Sequence, residues 1–573
     1  MAKKIKNAAH ALIKCLENHG VEYIFGHPGG AAIPIFDALV GSKIKLILTR
    51  HEQGATHMAD GYARATGKIG VVLVTSGPGA TNTVTGLLTA HMDSVPIIVL
   101  AGQTVSVNLG KDAFQEADVF GITVPVVKHS YLVKDANSVP QVIHEAVHIA
   151  TTGRPGPVLL DLPKDVMERD PFSASLDAEI DLPGYSFTRE GDSKDIKAIA
   201  KYLNKARKPL ILAGHGCLIA NAEDELLALA EKLNCPVTNT KLGKGAFPEN
   251  HPLSVGMLGM HGTAYANKAL QGCDLIISIG SRWDDRITPV KMAEFCPDAV
   301  KLHIDIDPAE INKILVPDAA AIGDAKLILK ELIDYVTPLE TDKWLAEINK
   351  YKKKHPLTYK IHGGLKAQHV IDALYQLTEG QAIVTTDVGQ HQMWAAQFFL
   401  THYKKGWISS GGAGTMGFGL PSAIGAQLAR PDELVITVVG DGGFQMTLCE
   451  LATAAIHNLP IKVLVIDNKF LGMVRQWQGL FYDNRLSGVD LVGNPDFVKL
   501  GQSYGIKGFR IKRPADVNKV LKQALAYNDG PCIIHAEVVK EDNVFPMIPA
   551  GGSAADMIIS QPSKKMAKPK GST

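Results

Sequence analysis

The sequence predicts an α/β fold of three domains with mostly parallel sheets. Short apolar runs, often β-branched, alternate with helical stretches along most of the 573 residues. These runs are apolar on both faces, which is typical of parallel strands buried between layers of helices. Two stretches interrupt the alternation: 166–190 is polar and has no hydrophobic period, and 340–365 is charged and ends in His362-Gly363-Gly364. They predict domains over 1–165, 191–338 and 366–548, followed by a C-terminal tail over 549–573.

The elements follow from local patterns along the chain. An amphipathic helix that ends at Gly20 is expected first, with no targeting segment ahead of it. A further helix is expected over Gln445–Asn458. The predicted strands, in chain order, are Lys45–Leu48, Gly70–Thr75, Ile97–Ala101, Val158–Leu162, Leu210–Ala213, Leu275–Ile279, Leu302–Ile306, Ala382–Thr386, Leu434–Val439, Ile461–Ile466 and Cys532–Val538.

The composition argues against several classes of protein. The net charge is +1, so no strong field is expected to attract nucleic acid or an anionic membrane. The longest apolar runs, such as Val95–Ala101, have about seven residues and are too short to span a bilayer. The 7 cysteines are scattered without a CxxC pair, which predicts neither disulfides nor a zinc site and favours the cytoplasm. The basic run over 564–570 is expected to be a frayed terminus.

Two motifs in the third domain suggest a magnesium site. Gly440-Asp441-Gly442 follows one predicted strand, and Asp467-Asn468 follows the next. Because the carboxyl ends of parallel strands meet at one sheet edge, the Asp441 and Asn468 side chains should lie close together. Carboxylate and amide oxygens suit Mg²⁺, which also binds phosphate oxygens, and glycines let the backbone approach. Gly-Asp-Gly also occurs in simple turns, so the interpretation depends on the flanking strands and on Asn468.

A glutamate near the start of the chain, Glu52, suggests the other half of the same site. It follows a predicted strand in the sequence Arg50-His51-Glu52. One interpretation is a surface ion pair with its neighbours. The other is a buried, protonated carboxyl that hydrogen-bonds N1′ of an aminopyrimidine and promotes deprotonation of a thiazolium. The two halves together point to thiamine diphosphate (ThDP) and to carbon–carbon bond chemistry on 2-keto acids.

Glycine-rich loops in the first and third domains resemble each other. Ser76-Gly-Pro-Gly-Ala-Thr-Asn is similar to Ser410-Gly-Gly-Ala-Gly-Thr-Met, and each is expected to open a helix. Either all nucleotide-type βα turns look alike, or the two domains are related and each holds one end of a shared cofactor.

Longer motifs carry a resemblance to one family. From residue 4 to about 557 the chain resembles the catalytic subunits of the acetohydroxyacid synthase (acetolactate synthase) family. Two departures are Asp467-Asn468 in place of the more usual Asn-Asn and Lys469-Phe470 in place of Gln-His. The matching motifs are Gly26-His-Pro-Gly-Gly-Ala, Arg50-His-Glu-Gln-Gly-Ala, Asp60-Gly-Tyr-Ala-Arg-Ala-Thr-Gly, Thr75-Ser-Gly-Pro-Gly-Ala-Thr-Asn, Asp112-Ala-Phe-Gln-Glu, Gly153-Arg-Pro-Gly-Pro, Gly256-Met-Leu-Gly-Met-His-Gly-Thr, Val388-Gly-Gln-His-Gln-Met-Trp, Gly414-Thr-Met-Gly-Phe-Gly-Leu-Pro and Leu471-Gly-Met-Val-Arg-Gln-Trp-Gln.

The resemblance implies a pyrimidine-binding domain, a central FAD-type domain and a diphosphate-binding domain. The active site would lie between two chains, with Glu52 of one chain reaching the cofactor held by the other. Asp441, Asn468 and the carbonyl of Phe470 would bind the metal, and Met416 would keep ThDP bent. The ThDP-binding residues implied are Gly29, Gly79, Asn82, Val388, Gly389, Gln390, His391, Gly414, Met416, Gly440, Asp441, Gly442, Gly443, Asn468, Leu471 and Gly472.

The resemblance also implies a structural FAD in the central domain. Flavin-binding members of the family carry Arg-Phe-Asp-Asp-Arg where this chain has Arg282-Trp283-Asp284-Asp285-Arg286. The alternative is a central domain that binds nothing, as in flavin-free acetolactate synthases. The FAD-binding residues implied are Arg154, Gly214, Gly216, Thr240, Leu258, Gly259, Met260, His261, Gly280, Arg282, Asp285, Asp305, Ile306 and Asp324.

Substrate choice is expected to depend on a few further residues. By resemblance, Arg286 would bind the carboxylate of the second keto acid, and Trp477 would contact the extra methyl group of 2-ketobutyrate. The remaining residues implied to line the substrate channel are Phe114, Gln115, Lys164 and Met473.

The activity expected is that of an acetolactate synthase. Such an enzyme decarboxylates pyruvate and joins its two-carbon unit to pyruvate or 2-ketobutyrate, giving 2-acetolactate or 2-aceto-2-hydroxybutyrate for branched-chain amino acid synthesis. A homodimer or homotetramer and a small regulatory subunit are the expected partners. The alternatives are a flavin-free catabolic acetolactate synthase, another ThDP carboligase or decarboxylase, and an inactive scaffold paralogue.

Overall fold

The computed structural model describes residues 5–169, 172–288 and 294–562. These residues form three α/β domains, each built on a sheet of six strands. Every strand pairing in the three sheets is parallel. The predicted fold class is therefore confirmed, and the sheets are more uniformly parallel than expected. The basic run over 564–570 lies outside the described residues.

The first domain surrounds a sheet in the order β2-β1-β3-β4-β6-β5. Its four central strands are almost wholly apolar and buried, as parallel strands covered on both faces should be. Its elements are α1 (Ala8–Asn18), β1 (Tyr23–Gly26), α2 (Ile33–Leu39), β2 (Lys45–Leu48), α3 (Glu52–Thr66), β3 (Gly70–Val74), α4 (Pro78–Thr81), α5 (Val84–Asp93), β4 (Ile97–Gln103), α6 (Val119–Thr123), β5 (His129–Leu132), α7 (Val139–Thr151), β6 (Val158–Pro163) and α8 (Lys164–Glu168).

The second domain has the strand order of a dinucleotide-binding fold. Its sheet runs β12-β11-β10-β7-β8-β9, which is the order 3-2-1-4-5-6 read from the other edge. The elements are α9 (Ser193–Leu203), β7 (Pro209–Ala213), α10 (His215–Ile219), α11 (Glu223–Leu233), β8 (Val237–Asn239), β9 (Ser254–Met257), α12 (Ala264–Gly272), β10 (Leu275–Ile279), β11 (Val300–Asp305), β12 (Ala319–Ile322), α13 (Ala325–Tyr335) and α14 (Asp342–Lys354).

The third domain repeats the topology of the first. Its sheet order, β14-β13-β15-β16-β18-β17, matches that of the first domain strand for strand. This identity favours two related domains over a chance likeness of their glycine-rich loops. The elements are α15 (Ala367–Thr378), β13 (Ile383–Thr386), α16 (Gln390–Phe398), β14 (Trp407–Ser409), α17 (Gly419–Ala429), β15 (Val435–Gly440), α18 (Asp441–Thr447), α19 (Leu451–Ile456), β16 (Lys462–Asp467), α20 (Gly472–Phe481), α21 (Phe497–Ser503), β17 (Lys507–Ile511), α22 (Val517–Leu525) and β18 (Cys532–Glu537).

Several details differ from the sequence predictions. The helix predicted over Gln445–Asn458 is wrong as a single element: α18 starts at Asp441, and a short 3₁₀ turn separates it from α19. The polar stretch 340–365 contains α14, whose Trp344 is buried and donates its indole N–H to Pro209 of the second domain. Seven strands in the described part of the chain were not predicted, namely β1, β5, β8, β9, β12, β14 and β17.

The first and third domains pack on each other through α3 and α17. Both helices carry a glycine at the crossing, so that their backbones approach closely. A Cβ on Gly61 would lie 2.1 Å from the carbonyl oxygen of Ser422, and one on Gly425 would lie 1.9 Å from that of Met58. The two domains consequently share one hydrophobic core. Within the described ranges, no helix is long and apolar enough to cross a membrane.

Candidate active site

A small cavity lies at the carboxyl ends of the central strands of the third domain. Its volume is ≈ 80 Å³. The starts of α16 and α20 border it, so unpaired backbone N–H groups of two helix N-termini are available to an anion there. The residues that line the cavity are Val388, Gly389, Gln390, His391, Trp394, Met416, Gly440, Asp441, Gly442, Gly443, Ile466, Asn468, Phe470, Leu471, Gly472, Met473 and Val474.

The cavity depends on glycines where the backbone must come close. A Cβ on Gly440 would lie 2.6 Å from Nδ1 of His391, and one on Gly443 would lie 2.6 Å from Oδ2 of Asp387. The Nε2 atom of His391 is buried and has no hydrogen-bond partner among the described residues. Burial lowers the pKa of His391 to about 3, so the ring is neutral and can serve a ligand as donor or acceptor.

The electrostatics around Asp441 fit a divalent cation. Asn494 donates to Oδ2 of Asp441 at 2.6 Å and to Oδ1 of Asp467 at 3.2 Å, so two carboxyl groups share one amide. Burial first, and then the neighbouring Asp467, raise the pKa of Asp441. A bound cation reverses such a shift because it favours the charged carboxylate. His535 at 2.9 Å holds the other oxygen of Asp467, which accounts for an aspartate beside Asn468.

Asn468 is held by two hydrogen bonds next to this carboxyl pair. Its Nδ2 donates to Oε1 of Gln390 at 3.1 Å, and its Oδ1 accepts from the Phe470 N–H at 3.2 Å. No group of three or more His, Cys, Asp and Glu side chains is placed to bind a metal in the described part of the chain. A ligand set of one carboxylate, one amide oxygen and one backbone carbonyl needs no such group.

Glu52 is the first residue of α3, directly after the N-cap His51. Its side chain is only 9% exposed, and its Oε2 accepts a hydrogen bond from Asn82 at 3.0 Å. A Cβ on Gly79 would lie 3.6 Å from Oε1. The surface ion pair considered from the sequence is therefore wrong, since Glu52 bonds Asn82 instead.

The chain entering α3 is fixed by the third domain. The buried carboxylate of Glu450 accepts hydrogen bonds from the backbone N–H groups of Arg50 and His51, both at 3.0 Å. Among the described residues, those that line the small cavity all lie between 388 and 474. Gly79, Asn82 and Glu52 thus form a separate cluster within one chain, and Gly29 lies beside them, where a Cβ would meet Thr75 at 2.6 Å.

A much larger cavity, ≈ 500 Å³, opens on the second domain. It adjoins the ends of β7 and β10, the point at which strand order reverses and dinucleotides bind in this topology. Gly214 and Gly280 follow these strands, and a Cβ on Gly214 would lie 2.1 Å from the Gly280 carbonyl oxygen. The expected FAD residues that line this cavity are Arg154, Gly216, Thr240, Leu258, Met260, His261, Gly280, Arg282, Asp305, Ile306 and Asp324.

Three profiles of one enzyme family match the chain. They are described as thiamine pyrophosphate enzyme N-terminal TPP binding domain, central domain and C-terminal TPP binding domain, over residues 6–122, 196–332 and 387–536. The acetolactate synthase large subunit of Buchnera aphidicola is 46% identical over 564 residues, covering 97% of this chain and 98% of the relative. That of Haemophilus influenzae is 44% identical over 569 residues (98% and 99%), and that of Porphyra purpurea 45% over 573 residues (98% and 96%).

The chain belongs to the acetolactate synthase large-subunit family of thiamine pyrophosphate enzymes. The resemblance noted in the sequence is thereby confirmed. Trp283 differs from the phenylalanine that flavin-binding acetolactate synthases were expected to have at this position. Trp283 is buried against Phe295 and His303 and does not line the large cavity, so the bulkier ring leaves that cavity open.

Three of the implied FAD residues do not line the large cavity of this family member. Gly214 and Gly259 serve close backbone packing, since a Cβ on Gly259 would lie 2.5 Å from the carbonyl oxygen of Arg286. Asp285 lines a different cavity and pairs with Arg286 at 3.3 Å.

Sequence reasoning missed Lys241, which lines the large cavity and donates to the Ser410 carbonyl at 3.2 Å. Burial lowers the pKa of Lys241 to about 8.

Within one chain, the residues implied to bind the substrates lie at several different places in the structure. Arg286 and Trp477 border a cavity of ≈ 290 Å³ that the segment 548–554 covers. Met473 lines the small cavity instead. Phe114 is 89% exposed on the first domain.

Two further substrate residues lie on the first domain. Gln115 has φ 57° and follows Phe114 in a loop braced by Glu116, which accepts from the Ala113 N–H at 2.9 Å. Lys164 starts α8, and its ammonium lies 3.9 Å from Glu168.

One implied ThDP-binding residue of the third domain, Gly414, does not line the small cavity. It has φ 62° and lies two residues before Met416, near Val388.

Proposed function

We propose that the chain is the catalytic large subunit of an acetolactate synthase that uses ThDP and Mg²⁺. The observation that carries this proposal is the pair of half-sites. Glu52, Gly79 and Asn82 form one on the first domain, and a glycine-walled cavity with Asp441 and Asn468 forms the other on the third. Two domains of identical strand order carry them. This is the arrangement that one long cofactor, held at both ends, requires.

The two half-sites support an active site between two chains. They do not share a cavity within one chain, because none of the residues described before 388 lines the small cavity. A homodimer or homotetramer would bring Glu52 of one chain to the diphosphate half-site of the other. The exposed Phe114 and its neighbour Gln115 would then reach the partner's substrate channel together with Lys164.

The residues of this chain have separable roles in the proposed reaction. Bound ThDP supplies the electron sink for decarboxylating pyruvate and for ligating its two-carbon unit. Asp441, Asn468 and the Phe470 carbonyl hold Mg²⁺. Asn82 occupies Oε2 of Glu52, which leaves Oε1 to hydrogen-bond the pyrimidine ring. Met416, beside the small cavity, supports the bent form of the cofactor.

The neighbouring cavity supports the choice of the second keto acid. The guanidinium of Arg286 is a planar fork suited to a carboxylate, and Trp477 offers an apolar wall. A preference for 2-ketobutyrate over pyruvate rests on one methyl group, which is worth about 1–3 kcal/mol. The products would be 2-aceto-2-hydroxybutyrate and 2-acetolactate.

We further propose that FAD occupies the large cavity as a structural cofactor. Its support is the ≈ 500 Å³ volume at the switch point of a dinucleotide-type sheet and the implied residues that line it. Carboligation moves no net electrons, so no redox step is assigned to the flavin. The relatives are named large subunits, which supports a small regulatory partner. A cytoplasmic location is supported by the 7 free cysteines, of which all but Cys449 are buried.

The test is an assay of the purified protein with pyruvate, with and without 2-ketobutyrate, in which ThDP, Mg²⁺ and FAD are omitted in turn. Acetohydroxyacid products that require ThDP and Mg²⁺ are expected, together with flavin released on denaturation. Activity without any bound or required flavin would identify a flavin-free synthase. A different product would identify another carboligase or decarboxylase. Failure to bind ThDP in calorimetry would favour an inactive scaffold.

A further inference from the structure

Three buried side-chain amides connect the proposed metal ligand Asn468 to the backbone after β18. Gln476 is fully buried, Gln390 is 2% exposed and Asn468 is 6% exposed. Asn468 donates to Gln390 at 3.1 Å, and Gln390 donates to Oε1 of Gln476 at 2.8 Å. Gln476 in turn exchanges two hydrogen bonds with the backbone of Val544. We call these three side chains the amide relay.

The backbone fixes the direction of the relay at its far end. The Val544 N–H donates to Oε1 of Gln476 at 2.8 Å, and the Val544 carbonyl accepts from Nε2 at 3.0 Å. A backbone N–H can only donate and a carbonyl can only accept, so the Gln476 amide has one permitted orientation. A flipped Gln476 would face donor with donor and acceptor with acceptor in a site without water access.

This orientation passes from one amide to the next. Nε2 of Gln390 lies between two acceptors, Oε1 of Gln476 at 2.8 Å and the Asp542 carbonyl at 2.9 Å. Its Oε1 must therefore point the other way and accept from Asn468. The Nδ2 end of Asn468 is thus turned to Gln390, which leaves its Oδ1 for the cavity beside Asp441.

The local packing is built around this junction. A Cβ on Gly472 would lie 2.1 Å from Oε1 of Gln390 and 2.7 Å from Nδ2 of Asn468, so only glycine leaves room for the bond between them. The Phe470 N–H, at 3.2 Å from Oδ1 of Asn468, supports the same orientation from the opposite side. Loss of the relay should therefore weaken the orientation of Asn468 without abolishing it.

We propose that Gln476 is a positioning residue that acts through Gln390 to keep the carbonyl oxygen of Asn468 turned toward the divalent cation. The inference rests on the proposed function, because it needs Mg²⁺ at Asp441 and Asn468. It also assigns the side-chain amide of Gln390 to the relay, so that Gln390 contacts the diphosphate through its backbone N–H at the start of α16. Side chains that orient metal ligands in this way typically contribute 10–100-fold in metal affinity.

The test titrates Mg²⁺ into protein with saturating ThDP and follows binding by the change in total tryptophan fluorescence, to which Trp394 contributes because it lines the small cavity. Gln476→Leu should raise the apparent Kd for Mg²⁺ about tenfold or more. Gln427→Leu is the matched control, because Gln427 is an equally buried amide whose bonds go to the carbonyls of Arg430, Pro431 and Glu433. The control should leave the Kd for Mg²⁺ within about twofold of the wild-type value.

A double-mutant cycle separates positioning from general stability. Asn468→Asp offers an oxygen at both ends of the side chain, so no orientation remains to be fixed. In the Asn468→Asp background, the amide relay holds Oε1 of Gln390 against a carboxylate oxygen, so two acceptors face each other. Gln476→Leu removes that constraint, and the Gln390 amide can then flip and donate to the carboxylate. The second substitution should then cause no further loss of Mg²⁺ affinity, and a gain would have the same meaning.

The Mg²⁺ titrations distinguish a failure of the amide relay from a failure of the proposed function. An equal loss from Gln476→Leu in both backgrounds, or a change within twofold in the wild-type background, would overturn the relay. Wild-type protein that binds ThDP without any need for Mg²⁺ would overturn the proposed function itself. If Gln476→Leu does not fold, as judged by thermal unfolding, Gln476→Met keeps the length of the side chain without its donor and acceptor and takes its place in the cycle.

Discussion

Asp93→Asn should destabilise the protein because Asp93 joins a buried charge network between the first and third domains. Arg64 contacts Asp60 at 2.6 Å and Asp93 at 2.9 Å, with side chains no more than 5% exposed. Asp93 also accepts from the backbone N–H groups of Gly411 at 2.8 Å and Gly412 at 2.6 Å. Burial raises the pKa of Asp93, but Arg64 and these N–H groups together lower it, so Asp93 is charged at neutral pH.

The magnitude follows from this geometry. Removing one partner of a buried ion pair costs about 3–5 kcal/mol, because the other charge loses its compensation. Asparagine keeps one acceptor oxygen, and Asp60 still pairs with Arg64, so the low end, about 3 kcal/mol, is expected. For an m value of about 3 kcal/mol/M or more, the urea midpoint falls by at most about 1 M.

The assay is urea unfolding at pH 7 followed by circular dichroism, with Asp516→Asn as the matched control. Asp516 is also an aspartate that accepts hydrogen bonds from an arginine, Arg513, at 2.9 and 3.0 Å, but this pair lies on the surface. Solvent screens an exposed pair, so the control midpoint should not move. Equal midpoints for Asp93→Asn and Asp516→Asn would refute the assignment of stability to the buried network.

Three further predictions concern the active site and the core. Glu52→Gln should slow product formation severely while ThDP still binds in calorimetry, and near-wild-type turnover would remove Glu52 from the mechanism. Burial lowers the pKa of His57 from 6.5 to about 3. The unfolded state therefore binds the extra proton first, and this group should lower the free energy of unfolding by about 1.4 kcal/mol for each pH unit below 6.5. Urea midpoints that fall as steeply with pH in His57→Phe as in the wild type would contradict this. Gly425→Ala overlaps the Met58 carbonyl and should lower the urea midpoint by the equivalent of about 1–3 kcal/mol. Gly30→Ala should not lower it, because no atom of the described residues lies within 4 Å of the added Cβ.

The strands that sequence reasoning found and missed differ in position. All the predicted strands except β2 lie inside their sheets, where both faces are covered and the sequence is a continuous apolar run. Five of the seven missed strands, β5, β9, β12, β14 and β17, are edge strands. An edge strand such as β17, Lys507–Ile511, is largely half-exposed, so it has no apolar run to detect. Its place is set by pairing with β18, which is a property of the assembled sheet.

The candidate site also contains residues that could be placed from the sequence and residues that could not. Asp441 and Asn468 could be placed together from sequence, because consecutive parallel strands, β15 and β16, must deliver their ends to one edge. Asn494, which bridges the two aspartates, comes from a loop without a period, and no sequence signal places it. The Gln390–Gln476 bond joins residues 86 positions apart, and the bond to Val544 spans 68 more. Strand order therefore specifies which ligands meet, whereas the orientation of a ligand amide depends on tertiary hydrogen bonds that only the folded chain forms.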